Sequence, residues 1–442
     1  TYALRVLLNP MLVSSYAAKE APLSVETQVS VASSQKPDCA HTIVSAANHE
    51  PLLNKEMVLL VVNQVWRIVQ GHGMAMFTDD ELRVELLQMS TLILEHGADV
   101  LAAEGTSKLD AIKFGWSFLS LEDVTVKHAA YLFISRFLQK FESPIKITGQ
   151  VYVGLLRLTP SDGRALVRRA LDTLVPALPE RVPSKDGQTP LWVKWTKRTL
   201  LDEGHNVLQL CSILQLLVRY SDLFYDSRDL FVPHMVTSLA KLGFASSSTA
   251  ESKKLAIQLI DLLIKWDLPS SADTDAQGGD AESVSRKRIK TGTDTYADSS
   301  TATLASASPS VSYSMPLHLR DLVFRFLVRF ISLSMESITA NDVTKHAFSL
   351  LEQVHQLPAW HGVQVRLALL QRALIHTDVS EQHVGPIANA LATLDVISRD
   401  RDKEWLFSHM AQMQKLLEKT LASDHPVLLD AARPALERLC SV

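Results

Sequence analysis

Apolar residues in this chain recur at i, i+3, i+4 and i+7 along almost its whole length, and no stretch alternates as a half-buried strand would. The stretch from Glu122 to Phe141 shows the pattern clearly. Val126, Ala129, Ala130, Phe133, Ile134, Phe137 and Leu138 fall on one stripe, and Lys127, Ser135 and Arg136 fall largely off it. Ser120 with Asp123 three residues later reads as a capping-box start, and Pro144 follows the end. The same start signal recurs at Thr78/Glu81, Ser248/Glu251 and Thr339/Asp342, each ahead of a Leu- or Ala-rich run.

These signals place helix beginnings near 52, 79, 108, 122, 144, 161, 190, 205, 228 and 249, then near 317, 340, 359, 380, 401 and 424. The mean spacing of ~20 residues per helix, hence ~40 per pair, is the period of HEAT or armadillo-type repeats. Asp229 to Leu242 reads as a first helix with a Pro inside it, and Glu251 to Trp266 as its Ala/Leu-rich second helix. Arg164 to Leu178 and the final run His425 to Leu439 have a related order. The stretch 319–331 adds a physical argument. Leu319, Leu322, Val323, Phe326, Leu327, Phe330 and Ile331 make a core stripe, yet Phe324 and Val328 are apolar on the other side. Asp321 and Arg325 form a supportive i, i+4 pair. A helix apolar on two faces belongs between neighbours in a stack.

The expected fold is therefore all-α: a right-handed α-solenoid of about eight HEAT/armadillo-like helix pairs, interrupted by a disordered insertion. Residues 1–16 read as the end of a preceding helix, 17–50 as a partly ordered loop, 51–267 as a helical array and 315–442 as its continuation. Between them, 268–314 is dominated by Ser, Thr, Asp, Ala and Gly, too polar to offset its ordering entropy. Only 16 of 442 residues are Gly, which suits helices better than turn-rich sheets. The chain opens on TYALRVLLNPMLV, already helical in pattern, and is expected to be a slice of a longer protein.

Charge and chemistry narrow the function. A net charge of −4 gives no global basic footprint for nucleic acid. No apolar run approaches the ~18–20 residues of a membrane span. Cys39, Cys211 and Cys440 are too few and too scattered for a disulfide framework or a four-cysteine zinc site. Gly71-His72-Gly73 lacks the third Gly and the preceding strand of a phosphate loop, and reads as a helix-ending turn. His49-Glu50 is followed by Pro51 and Leu53, where a zincin needs a helix and a second His. His355, His361 and His376 lie on different helices or helix ends, the pattern of structural histidines. Ser398-Arg399-Asp400-Arg401-Asp402 lacks the His and Asn of a kinase catalytic loop and reads as a solvated turn opening a helix. Trp192 and Trp195, beside Lys194, Lys197 and Arg198, read as core aromatics backed by a basic face rather than a base-stacking platform. No catalytic residue, metal ligand or cofactor site is expected. Arg286, Lys287, Arg288 and Lys290, four cations in five residues, fit a nuclear import signal.

Several long strings go beyond generic HEAT patterning: 80–101, 122–137, 163–182, 203–239 and 253–266. In content and order they resemble the helical-repeat region of the transformation/transcription domain-associated protein (TRRAP) family and its fungal counterpart. That resemblance implies a large nuclear pseudokinase scaffold in SAGA-type and nucleosomal histone acetyltransferase complexes, binding transcription activators and complex subunits. It implies protein partners, with no small-molecule substrate, direct nucleic-acid contact or membrane. The alternatives are a HEAT-repeat nuclear transport receptor or trafficking adaptor, and the helical region of an active kinase of the same superfamily.

Overall fold

The computed structural model describes residues 1–20, 53–72, 79–103, 107–158, 164–185, 187–268 and 313–441, and every regular element among them is a helix. The chain divides into two compact units, Thr1–Gly204 and His205–Val442.

The first unit begins with a π-helical turn, Ala3–Leu8, that runs into α1 (Asn9–Glu20). Then come α2 (Lys55–Val61), a π segment (Val62–Trp66) and α3 (Arg67–His72). They are followed by α4 (Asp80–His96), α5 (Ala98–Ala103), α6 (Ser107–Leu119), α7 (Val124–Lys140), α8 (Ile145–Arg157), α9 (Arg164–Leu174), α10 (Leu178–Arg181) and α11 (Leu191–Glu203). Here α4, α7 and α9 pack in one layer, and α3 with α6, and α8 with α11, in the other. The second unit holds α12 (Val207–Arg219), α13 (Ser221–Phe224), α14 (Val232–Phe244), α15 (Ala250–Asp267), α16 (Leu317–Ser332), α17 (Asp342–Gln356), α18 (Gln371–Leu374), α19 (Val384–Ser398), α20 (Lys403–Leu421) and α21 (Pro426–Cys440). In it α12, α15, α17, α19 and α21 pack in sequence, with α14 and α16 as one pair of the facing layer and α18 and α20 as another.

The repeat period is visible in polar ties as well as in helix packing. Arg67 bonds Asp110 and Arg181 bonds the Leu138 carbonyl, both across 43 residues. Tyr152 bonds Thr196 and Lys419 bonds the Ile375 carbonyl, both across 44. Arg438 donates to the Asp395 carbonyl across 43. Each tie joins equivalent places in successive helix pairs.

Helix α7 sits between α4, α6, α8 and α9 and is buried nearly all round. Val126, Ala130, Phe133, Ile134 and Leu138 are fully enclosed, as the stripe predicts. Ser135 is also fully buried and His128 is 1% exposed, so the expectation that Ser135 lies off the packed face is wrong. Four surrounding helices leave this helix little solvent face beyond its ends, where Val124 and Lys140 are exposed. Phe133 joins Trp66 and Phe114 at ring separations of 5.6–5.9 Å, and the Trp66 indole N–H donates to Ser90 Oγ at 3.0 Å. Helix α16 is likewise buried on two sides, with Phe324 and Val328 enclosed, and Asp321 pairs with Arg325. Leu322, expected in its core stripe, is 42% exposed instead.

Most helix beginnings fall within about three residues of their expected positions. Near 228, a 3₁₀ segment (Tyr225–Leu230) intervenes and α14 starts at Val232, so Pro233 stands in the first turn and not inside the helix. A first-turn residue needs no intrahelical N–H bond, which is where Pro is tolerated. Near 359, the chain forms 3₁₀ turns at Pro358–Trp360 and Leu367–Leu370 before the single turn of α18. Pro358 and Gly362 both disfavour a continuous helix there.

The capping residues are shifted as well. The N-caps of α7, α15 and α17 are Asp123, Thr249 and Asn341, not Ser120, Ser248 and Thr339. Helix α4 is capped by Asp79, while Thr78 lies outside the described residues.

Candidate binding groove

Helices α8 and α11 lie side by side and parallel, because their contacts advance together along both. Gly149 faces the Trp195 ring, Tyr152 meets Thr196 at 2.7 Å, and Arg157 reaches Asp202 at 3.3 Å and Glu203 at 3.5 Å. The Thr196 hydroxyl spends its proton on the Trp192 carbonyl, so the Tyr152 hydroxyl is the donor between them. Burial raises the Tyr152 pKa far above its usual range and keeps that donor protonated.

The glycines set how closely these elements approach. A Cβ on Gly149 would come within 2.7 Å of the Trp195 ring, and one on Gly154 within 2.6 Å of the Tyr131 hydroxyl. Lys146, Gln150, Val153 and Arg157 follow one another at helical spacing along the adjoining stripe of α8. With Trp195 across from them, they border an open groove of about 480 Å³. Trp192 is core, 3% exposed, and Trp195 is only half-buried, forming the groove wall. Both helices start after a proline, Pro144 and Pro190, with no side-chain cap. Their positive dipole ends therefore lie at the same end of the groove as Lys146.

A second concavity, about 460 Å³, lies in the other unit, bordered by Phe324, Trp360, His355, His361, Asp400 and Arg401. His355, at the end of α17, and His361, in the turn that follows, both border it. His355 Nε2 lies 3.5 Å from Asp400 Oδ2 but makes no hydrogen bond. Burial, and then the Arg401 charge, hold its pKa below the ordinary imidazole value. Asp402 caps α20 by accepting from the Trp405 N–H at 2.8 Å, so the Arg-Asp string does open a helix. Among the described residues, no group of three His, Cys, Asp or Glu could hold a metal ion. Among the described residues, no single helix is long and apolar enough to cross a membrane. Gly71 and His72 end α3, while Gly73, His49, Glu50 and Cys39 lie outside the described residues, as do Arg286, Lys287, Arg288 and Lys290.

Sequence reading missed the groove, although it carried one signal. Two glycines inside a helical pattern, at 149 and 154, mark a close approach by another group.

Two-layered helix pairs tied at a period of 43–44 residues define a helical-repeat scaffold of the HEAT type. The chain belongs to the family of the Tra1 HEAT repeat ring region, whose model matches residues 1–442. It is 33% identical over 366 residues to the SAGA complex/NuA4 acetyltransferase complex subunit TRA1 of Saccharomyces cerevisiae, covering 81% of this chain and 10% of that protein. To the probable transcription-associated protein 1 of Dictyostelium discoideum it is 43% identical over 189 residues, 43% of this chain and 4% of that one. To the human transformation/transcription domain-associated protein it is 26% identical over 400 residues, 82% of this chain and 10% of that one. The chain thus spans about a tenth of the length of most of these relatives. The matched model describes a HEAT repeat region, not a kinase domain.

Proposed function

We propose that this chain is a scaffold segment of a SAGA- or NuA4-type acetyltransferase coactivator, working in the nucleus and holding complex subunits and transcription activators. The observation that carries this reading is the family match from the first residue to the last. The physical mode is surface binding: a stack of helix pairs presents long grooves between parallel helices, into which partner helices or extended segments lay an apolar face. No small-molecule substrate, cofactor or direct nucleic-acid contact belongs to it.

In the same reading, 268–314 is an insertion within one helical array, and Arg286, Lys287, Arg288 and Lys290 form an import signal. Affinity purification of the full-length protein, intact or lacking the two units, tests the scaffold reading. Acetyltransferase-complex subunits should accompany the intact chain and be depleted by the deletion. Unchanged co-purification would show that the segment holds none of them. A fluorescent reporter fused to 268–314 should enter the nucleus and lose that ability when the four cations become alanine. Equal distribution of both reporters would remove the import signal from the reading.

A further inference from the structure

We propose that the concavity between the end of α17 and the turn opening α20 holds one large uncharged side chain of a partner protein, together with that residue's own peptide group. The inference rests on the scaffold reading and names the chemistry that one of its contact points accepts.

The floor sets the apolar part. Phe324 of α16, Val354 of α17, and Trp360 and Val363 beyond it line the concavity, and none of the four is more than 6% exposed. Its volume of about 460 Å³ falls within the ~300–1,000 Å³ of clefts that hold ligands. The floor is also braced. Arg320 donates to the Ala359 carbonyl beside Trp360 at 2.6 Å, while Asp267 holds its other nitrogens at 2.9 Å. An entering side chain therefore meets a surface that needs no ordering on binding.

The rim decides the charge. Asp400 and Arg401 both border the opening, and though adjacent in sequence they form no ion pair with each other. Neither is matched elsewhere. The Asp400 side chain is 70% exposed and lies 3.5 Å from His355 Nε2 without a hydrogen bond. Burial keeps His355 uncharged near neutrality, so it does not neutralise that carboxylate. Arg401 uses its Nε on the Ile397 carbonyl at 3.3 Å and has no carboxylate within ion-pair distance among the described residues. The other charges of this turn are engaged: Arg399 pairs with Asp395 and Glu352, and Asp402 caps α20.

A lone carboxylate beside a lone guanidinium selects against either sign. An acidic group would meet Asp400, and a basic one would meet Arg401. A planar amide suits both, since its N–H donates to a carboxylate and its C=O accepts from a guanidinium. Every residue of a polypeptide carries such a group at the root of its side chain. A partner residue seated on the apolar floor thus brings to the rim the uncharged donor and acceptor that it needs. A phosphate backbone, negative throughout, is disfavoured by Asp400 on the same ground.

The test is photolabelling of the full-length protein with three diazirine probes of similar shape and different charge. They are N-acetyl-photoleucine N′-methylamide, which is neutral, N-acetyl-photoleucine, an anion, and photoleucine N′-methylamide, a cation. Peptide mapping should place adducts of the neutral probe within 354–365 and 400–401, at a yield at least fivefold above either charged probe. Excess N-acetyl-tryptophan N′-methylamide should suppress them. Asp400→Asn should raise labelling by the anion at least fivefold, and Arg401→Gln should do the same for the cation. Asp400 is exposed, so its variant should melt as the native chain does and keeps the test valid even where Arg401→Gln fails to fold. Equal labelling by the three probes, adducts scattered outside the concavity, or charge preferences that Asp400→Asn leaves unaltered would overturn the proposal. Co-purifying subunits report on the scaffold reading separately: if deleting the two units releases them while the probes fail to discriminate, only the assignment of this concavity falls.

Discussion

Ala130 shows how little tolerance one buried position leaves. It is fully enclosed on α7, with helices on every side. Ala130→Asp would bury a carboxylate without a partner, at a cost of about 3–5 kcal/mol. The variant should lower the thermal midpoint sharply or fail to fold, and an unchanged melt would refute the assignment of that face. His128, two residues earlier, gives a pH-dependent counterpart. Its Nδ1 has no hydrogen-bond partner, and burial depresses its pKa below the ordinary 6.5 while Asp123 opposes the shift. As pH falls through 6.5, the unfolded chain takes up the proton first. Stability is therefore lost from that point down to the folded pKa. Urea midpoints at pH 7.5 and 5.5 should differ more for the native chain than for His128→Leu, and equal differences would absolve His128. The stripe residues of α7 were legible because a 3.6-residue period names one face. The burial of Ser135 and His128 was not, because encirclement by four helices is a property of the neighbours.

At the scale of the element, the sequence located helices far better than it located their caps. Near 120, 248 and 339, several residues able to cap stand within three positions of one another. Which of them takes the extended backbone depends on where the chain leaves the previous helix, and the local pattern does not contain that. The structure selects Asp123, Thr249 and Asn341. Helix contacts have their own determinant in glycine. On α6, a Cβ at Gly115 would come within 2.6 Å of the Phe133 ring. Gly115→Ala gains up to about 1 kcal/mol of helix propensity. It must also shift an enclosed aromatic ring, at about 1–3 kcal/mol. The expected result is a net loss, read as a lower denaturant midpoint with an unchanged slope. A gain would mean that α6 can retreat from α7 without strain. The groove was partly legible for the same reason: glycines at 149 and 154 announce contact, but only the fold shows that α11 supplies it.

For the whole molecule, the repeat period is the most sequence-legible quantity, since it needs only the order of helix starts. The ties that realise it were invisible beforehand, because a hydrogen bond across 43 residues has no local signature. One of the polar clusters has a particular place. Asp267, 1% exposed at its side chain, accepts from the Met315 N–H at 2.7 Å and pairs with Arg320 at 2.9 Å. Arg320 also donates to Ser314 Oγ and to the Ala359 carbonyl. Asp267→Ala would strand that guanidinium, and a loss of about 3–5 kcal/mol is expected. Deleting 270–312 should leave the urea midpoint nearly unchanged, since loop-closure entropy varies only slowly with length. A large loss would show that the removed residues pack.

The Asp267–Arg320 cluster fastens together the two places where the chain departs from and rejoins its helices. Length between those anchors then becomes a variable that mutation can change without consulting the core. Insertions and deletions should accumulate there among related chains while the helices on either side keep their spacing. An engineer could treat the site as a socket: a tag or reporter domain placed between 285 and 286 should leave the melting behaviour of the protein as it was.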